Sequence, residues 1–172
     1  SSAASDVYKR QCLYSVRAAV TGMDAEVFVV DNNSTDGSVE YLRPKFPEVV
    51  FIENKDNPGF AKANNQAIRQ CTGEYVLLLN PDTVVGEESL RSLCFQMDED
   101  PEIGAIGVKM LNGHGVFLPE SKRAFPSPWV SFCKIFGLSK LFPNSPAFAR
   151  HSLPYLDKEQ THKVEVLAGA FM

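Results

Sequence analysis

Three strings place carboxylates or amides directly after strand-like apolar runs: VVDNNSTDGS at residues 29–38, NPGFAKANN at 57–65 and LLLNPDT at 77–83. Together they describe a site for a phosphorylated ligand and a metal. LLLNPDT is the sharpest of them. A buried strand there delivers Asn80 and Asp82 onto an immobile platform, with Pro81 fixing the backbone between them. Oxygen donors of this kind suit Mg²⁺ or Mn²⁺, which take their other ligands from water and substrate phosphates. Asp31 stands where a strand reaches solvent, its carboxylate an acceptor for a base N–H or a ribose hydroxyl, and Asn32, Asn33 and Asp36 shape the loop that follows. In the middle string Gly59 permits a close backbone approach at a helix start, where free N–H groups and the helix dipole favour phosphate. Lys62 adds positive charge, and the adjacent amides Asn64 and Asn65 occupy helix positions that propensity alone would not give them. Each string also has an ordinary structural alternative. These are an Asx-turn with a helix cap at 31–38, a Pro-Gly turn with surface amides at 57–65, and a strand-ending turn capped by Asp82 at 77–83. His114, His151 and His162 stand far apart in sequence, which favours surface or packing roles over catalysis.

For the strings to act together, an α/β sheet must carry them, since ligands of open sheets sit beyond the carboxyl ends of the strands. The periodicity supports one. Leu13, Val16, Ala19 and Val20 give helical spacing that Gly22 stops. A strand at 26–30 ends at Asp31, a helix covers 38–46, and a strand at 49–53 follows Pro47. A third helix spans 60–71, with Gly73 behind it. Residues 75–79 form the most hydrophobic run and are expected as the central strand. A surface helix at 87–98 carries Leu90, Leu93, Cys94 and Met97 on one face, and Pro101 ends it. Residues 103–111 read as a strand, returned by a turn at 112–115. The fold class expected is therefore α/β, a three-layer and mostly parallel sheet. From 119 to 156 six prolines interrupt aromatic segments, a long insert in which residues 129–142 are expected as a bent helix carrying Trp129, Phe132, Phe136, Leu138 and Phe142.

The chain of 172 residues, 44% hydrophobic and 22% charged, suits one soluble domain with its own core. Its net charge of −4 and lack of a Lys/Arg block argue against DNA or RNA as a partner. Cys12, Cys71, Cys94 and Cys133 are scattered, without the spacing of a zinc site or redox pair. No apolar run approaches the length of a membrane span and no secretory signal is visible, so a cytoplasmic location is expected. The opening SSAASDVYKR has little apolar periodicity and is expected to be non-native or disordered through residue 10. The closing VEVLAGAFM stops on a strand-like run, and the domain is expected to be cut at both ends.

In order and spacing the three strings resemble the family 2 glycosyltransferases of the GT-A fold, over about residues 11–172. The resemblance is strongest to the bacterial rhamnosyltransferase-type branch, whose members carry VVDNNSxDGS, NxGFAxANN and LNPDT in this order. A KR-x-FPSP-like segment then follows, here Lys122, Arg123, Phe125, Pro126, Ser127 and Pro128. The resemblance implies that Asp31, Asn33, Asp36, Asn57, Gly59, Lys62, Asn65 and Asn80 bind a nucleotide-sugar. It implies also that Asp82 is the metal ligand, the surviving acid of the family's DxD motif, with Asn80 in place of the first Asp. Two features of the family find no counterpart here: the first strand with its nucleotide-contacting pair, and the Asp or Glu base that follows the GA-x-M segment at Gly169, Ala170 and Met172. The catalytic base is thus unknown, and a chain of this extent is expected to bind donor but turn over little.

The implied reaction is an inverting transfer. A base deprotonates the acceptor hydroxyl, which attacks the anomeric carbon while the metal stabilises the departing nucleoside diphosphate. Implied partners are a nucleotide-diphosphate sugar donor and a glycan or lipid-linked acceptor of cell-surface polysaccharide synthesis. The aromatic segment from Trp129 is expected to pack on the domain itself, with peripheral contact to the inner face of the plasma membrane as the alternative. A sugar-phosphate nucleotidyltransferase would need a Gly-rich basic loop after its first strand, which this sequence lacks. The alternative from another class is a non-catalytic module that binds nucleotide-sugar or glycan.

Overall fold

The computed structural model describes residues 2–118, 122–123, 128–136, 145, 160–164, 166–167 and 169–172. They belong to two compact units, Ser1–Ile103 and Gly104–Met172.

The first unit opens with helix α1, Ser2–Ala19. Its buried positions Cys12, Leu13, Val16 and Ala19 repeat at helical spacing, and Gly22, at φ 74°, turns the chain away beyond its end. The helix was expected to begin at 11. It begins at Ser2 instead, and the turn holding Lys9 and Arg10 is tied to the rest of the unit by side-chain hydrogen bonds to Asp36, Ser38 and Tyr41. Strand β1, Phe28–Asp31, runs parallel to β2, Val50–Glu53, in a register that pairs Phe28 with Val50 and Asp31 with Glu53. The two strands end level, so Asn32 and Asn54 leave the sheet side by side; the Asn54 N–H still donates to the Asp31 carbonyl at 2.9 Å. Helix α2, Ser38–Leu42, continues through a 3₁₀ turn, Arg43–Lys45, that holds Pro44.

Leu13, Leu42, Phe46 and Val49 make the core, with Val27, Val29 and Phe51 of the sheet packed against them. Phe46 is wholly enclosed. The Tyr14 ring lies 5.0 Å from it, tilted by 60°, and the Arg17 guanidinium sits 4.4 Å over its centroid while donating to Glu48 at 2.6 Å and to the Lys45 carbonyl at 2.7 Å. Burial of such a ring stabilises by about 1.5–3 kcal/mol, more than the exposed Arg17–Glu48 pair can. Helix α3, Phe60–Ile68, packs on β1, and α4, Ser89–Glu99, lies against α1.

The sheet falls short of the expected one. Among the described residues the parallel sheet has two strands, and residues 75–79 are not the central strand: Tyr75, Val76 and Leu77 are 36–44% exposed. The Tyr75 hydroxyl instead donates to Asp98 of α4 at 2.6 Å. An apolar run states what a segment must bury. Whether a neighbouring strand is there to pair with it is a non-local condition that the run does not contain. Residues 103–111 likewise form no strand; Leu111 makes one antiparallel bridge to Phe117.

That bridge belongs to the second unit. The expected turn at 112–115 is present, with the Asn112 side-chain oxygen accepting from the N–H groups of His114 and Val116, both at 3.0 Å, and Gly115 at φ 74°. Strand β3, Lys122–Arg123, pairs antiparallel with β4, Val166–Leu167, and Phe171 is buried. Helix α5, Pro128–Ile135, is the described part of the expected helix at 129–142. The expected continuation at 137–142, and Phe125, Pro126 and Ser127, lie outside the described residues. No helix among the described residues is long and apolar enough to cross a membrane.

Candidate functional site

Asp31 closes β1, and its Oδ2 accepts the Ser34 N–H at 2.9 Å, which is the Asx-turn that its type and position allow. The loop then bends through Asn33 at φ 62°, a left-handed conformation that Asn tolerates better than most residues. Asp36 is more firmly held. Its Oδ2 accepts from Lys9 Nζ at 2.7 Å, and its Oδ1 accepts from the Ser38 N–H at 3.1 Å and the Ser38 hydroxyl at 2.5 Å. Lys9 Nζ also donates to the buried Ser38 Oγ at 2.7 Å, closing a triangle between α1 and the start of α2. The Lys9 hydrogen bond first, and then those from Ser38, hold the Asp36 carboxyl well below the usual carboxylate range.

Where the two strands end, Asn54 bridges three elements. Its Nδ2 donates to Asn32 Oδ1 and to Gln66 Oε1, each at 2.9 Å, while Gln66 Nε2 donates back to Asn54 Oδ1 at 2.9 Å. This amide pair ties α3 to the carboxyl end of the sheet. At the head of α3 the Asn57 Oδ1 accepts the Gly59 N–H at 3.0 Å. Gly59 itself is at φ 86°, and a Cβ there would meet nothing within 4 Å, so glycine serves the backbone turn and an open approach rather than close packing. No side chain caps the first turn of α3. Lys62 and Asn65 are exposed, and Asn64 Nδ2 donates back to the Phe60 carbonyl at 3.0 Å.

The third string docks on α1. The Asn80 carbonyl accepts from Thr83 N–H at 3.2 Å and from the Cys12 thiol at 3.7 Å. Ser15 Oγ accepts the Val85 N–H at 3.0 Å while donating to the Cys12 carbonyl at 2.7 Å, and Val85 is buried. Burial, then the charge of Asp82, pushes the Cys12 thiol up to about 11, against a hydrogen bond from the Thr83 backbone. Cys12 is thus a protonated donor, not a nucleophile. The Asp82 side chain is exposed, and no hydrogen bond or ion pair engages its carboxylate among the described residues. Lys9, Cys12 and Ser15 follow one another at three-residue steps, about 4.5 Å of helix rise each. One face of α1 therefore holds the 36–38 corner and the 80–85 loop a single turn apart.

Among the described residues no three His, Cys, Asp or Glu side chains gather as a closed metal cage. A single open carboxylate at Asp82 fits the other mode, in which a hard cation takes one protein oxygen and completes its shell from water and substrate phosphates. The sequence reasoning missed Lys9, Cys12, Ser15, Asn54 and Gln66. Asn54 was legible, because it follows VFIE as Asn32 follows FVVD. The partners on α1 lie 27 to 70 residues away from the groups they hold, with no local signal.

Residues 8–158 match the family model described as "Glycosyl transferase family 2". Among curated proteins the chain is 32% identical over 158 residues to the poly(ribitol-phosphate) beta-glucosyltransferase of Bacillus spizizenii, covering 82% of this chain and 25% of that protein. It is 29% identical over 83 residues to the poly-beta-1,6-N-acetyl-D-glucosamine synthase of Staphylococcus aureus, covering 47% of this chain and 20% of that one. The chain thus spans a quarter or less of the length of these relatives. No solved structure gives a significant match.

Proposed function

This chain belongs to glycosyl transferase family 2, which implies a GT-A type α/β fold, and from that premise we propose that it forms the donor-binding part of a metal-dependent, inverting glycosyltransferase of cell-surface polysaccharide synthesis. The observation that carries the proposal is the docking of two acid-bearing loops on adjacent turns of one face of α1, one through Lys9 and the other through Cys12 and Ser15. The names of both relatives, a glucosyltransferase acting on a phosphate polymer and a polysaccharide synthase, support the substrate class. The rhamnosyltransferase-like branch is supported by the order of the three strings and the Lys122–Arg123 segment that follows them.

In this reading Asp31 and the amides Asn32 and Asn33 at the strand ends recognise the nucleoside, as hydrogen-bonding groups beyond the carboxyl end of a sheet should, with Asn54 holding the Asn32 side chain in place. The uncapped first turn of α3, opened by Asn57 and Gly59 and flanked by Lys62 and Asn65, receives the diphosphate, since its N–H groups and dipole favour negative charge. Asn80 and Asp82 face the same ligand from the α1 side. Asp82 would hold Mg²⁺ or Mn²⁺, which supplies positive charge to the departing diphosphate. Asp36 orders the loop by binding Lys9 and Ser38.

Isothermal titration of this chain with nucleoside diphosphates, with and without Mn²⁺, tests the reading. Uptake of one of them that depends on Mn²⁺ in the wild type and loses that dependence in Asp82→Asn is the expected result. Absence of uptake under any of these conditions overturns it. Uptake without sugar transfer by the product of the whole reading frame would leave the non-catalytic binding module as the function.

A further inference from the structure

Helix α5 turns an aromatic face outward. Phe132 is 44% exposed, Ile135 79%, Phe136 67% and Trp129 51%. The rings form a continuous row, Trp129 stacked on Phe132 at 5.7 Å and Phe132 tilted by 37° against Phe136 at 4.4 Å between centroids. Spacings of three and four residues put all four side chains on one side of the helix. Contiguous apolar surface of this kind marks an interaction site more often than a solvated one.

The charge of the sequence that contains it is as uneven as its exposure. The whole chain carries 17 Lys and Arg against 21 Asp and Glu. Residues 121–156 take five of the 17, Lys122, Arg123, Lys134, Lys140 and Arg150, and none of the 21. A basic segment that exposes Trp, Phe and Ile in an otherwise acidic chain has the composition of an interfacial anchor. Its apolar face enters the boundary between headgroups and acyl chains, and its cations meet anionic lipid. A soluble polyanion would satisfy the cations and leave the aromatic row in water, so the exposed row favours the lipid surface.

We infer that α5 is a membrane-surface anchor that inserts Trp129, Phe132, Ile135 and Phe136 into a bilayer bearing anionic headgroups. The inference uses residues apart from those of the donor site and stands whether or not the transferase reading does. It accounts for an aromatic helix within a segment free of acidic residues.

Trp129 is the single tryptophan of the chain and reports on its own insertion. The chain is mixed with vesicles of phosphatidylglycerol and, separately, of phosphatidylcholine, and its emission and flotation are followed. The expected result is a blue shift on phosphatidylglycerol, quenching by lipids brominated in the acyl chain, and weakening as salt is raised. Ile135→Glu, at the most exposed of the four positions, should lower the vesicle-bound fraction about tenfold or more, with the fold intact by circular dichroism. Unchanged emission on phosphatidylglycerol at low salt overturns the inference. So does binding of inorganic polyphosphate without vesicle flotation, which would make the segment a polyanion site, and so does vesicle binding that Ile135→Glu leaves untouched.

Discussion

The 31–38 loop and the 80–85 loop rest on the same helix a turn apart, and their acids stand in opposite circumstances. Asp36 spends both oxygens on Lys9 and Ser38. Asp82, exposed, keeps its carboxylate clear of protein partners among the described residues, close enough to Cys12 for its charge to be felt. A carboxylate saturated by its own protein is part of the building; one left open on an anchored loop is available to a ligand. The same contrast holds at larger scale. Residues around Phe46 are enclosed, whereas residues 75–77, just ahead of Asp82, lie open.

Phe46→Ala tests the enclosed side most severely. It removes the ring on which α1, α2 and the sheet converge, and a loss of about 3–5 kcal/mol is expected in urea unfolding. A loss below about 1 kcal/mol would mean that the two sides are not as unlike as described. Asp82→Asn should do the reverse. Stability should stay within about 0.5 kcal/mol, while sugar transfer by the product of the whole reading frame falls about a hundredfold or more, measured as kcat/KM. Equal activity of the variant would remove Asp82 from the site.

Asp36→Asn is expected to cost about 1 kcal/mol with a smaller effect on transfer. Its pH dependence has a definite sign. The folded carboxyl is held below its ordinary value, so as pH falls the unfolded chain takes up the proton first. The stabilisation is therefore complete above about pH 4 and declines below it. Wild type should lose its advantage over Asp36→Asn as unfolding is measured at successively lower pH; a constant difference would show that Lys9 and Ser38 do not act through the charge. The smallest effect belongs to the open side. The Asp98 hydrogen bond, chiefly, pushes the Tyr75 hydroxyl up to about 12. Tyr75→Phe should leave the unfolding midpoint nearly unchanged and remove from a spectrophotometric titration one phenol that ionises above the ordinary tyrosine range.

Much of the frame was readable along the chain because its signals are local. Leu13, Val16 and Ala19 announce one helix face, residues 28–31 and 50–53 announce strands by their β-branched and aromatic content, and Gly22 sits where a stop was needed. The turn at Asn112 was equally plain. Residues 75–79 misled for the same reason that they stood out. Hydrophobicity demands burial without naming a partner, and strand pairing depends on segments elsewhere in the chain.

Residue types and their order determined that this chain is an α/β protein of glycosyl transferase family 2, with carboxylates and amides set just past its strands. The separation of those acids into one saturated by protein donors and one left open came only with the tertiary structure. Lys9 reaches Asp36 across 27 residues, and Ser15 meets Val85 across 70. The physical reason is that a carboxylate's role follows from which donors surround it, and donors brought by distant helix turns leave no mark in the residues beside it.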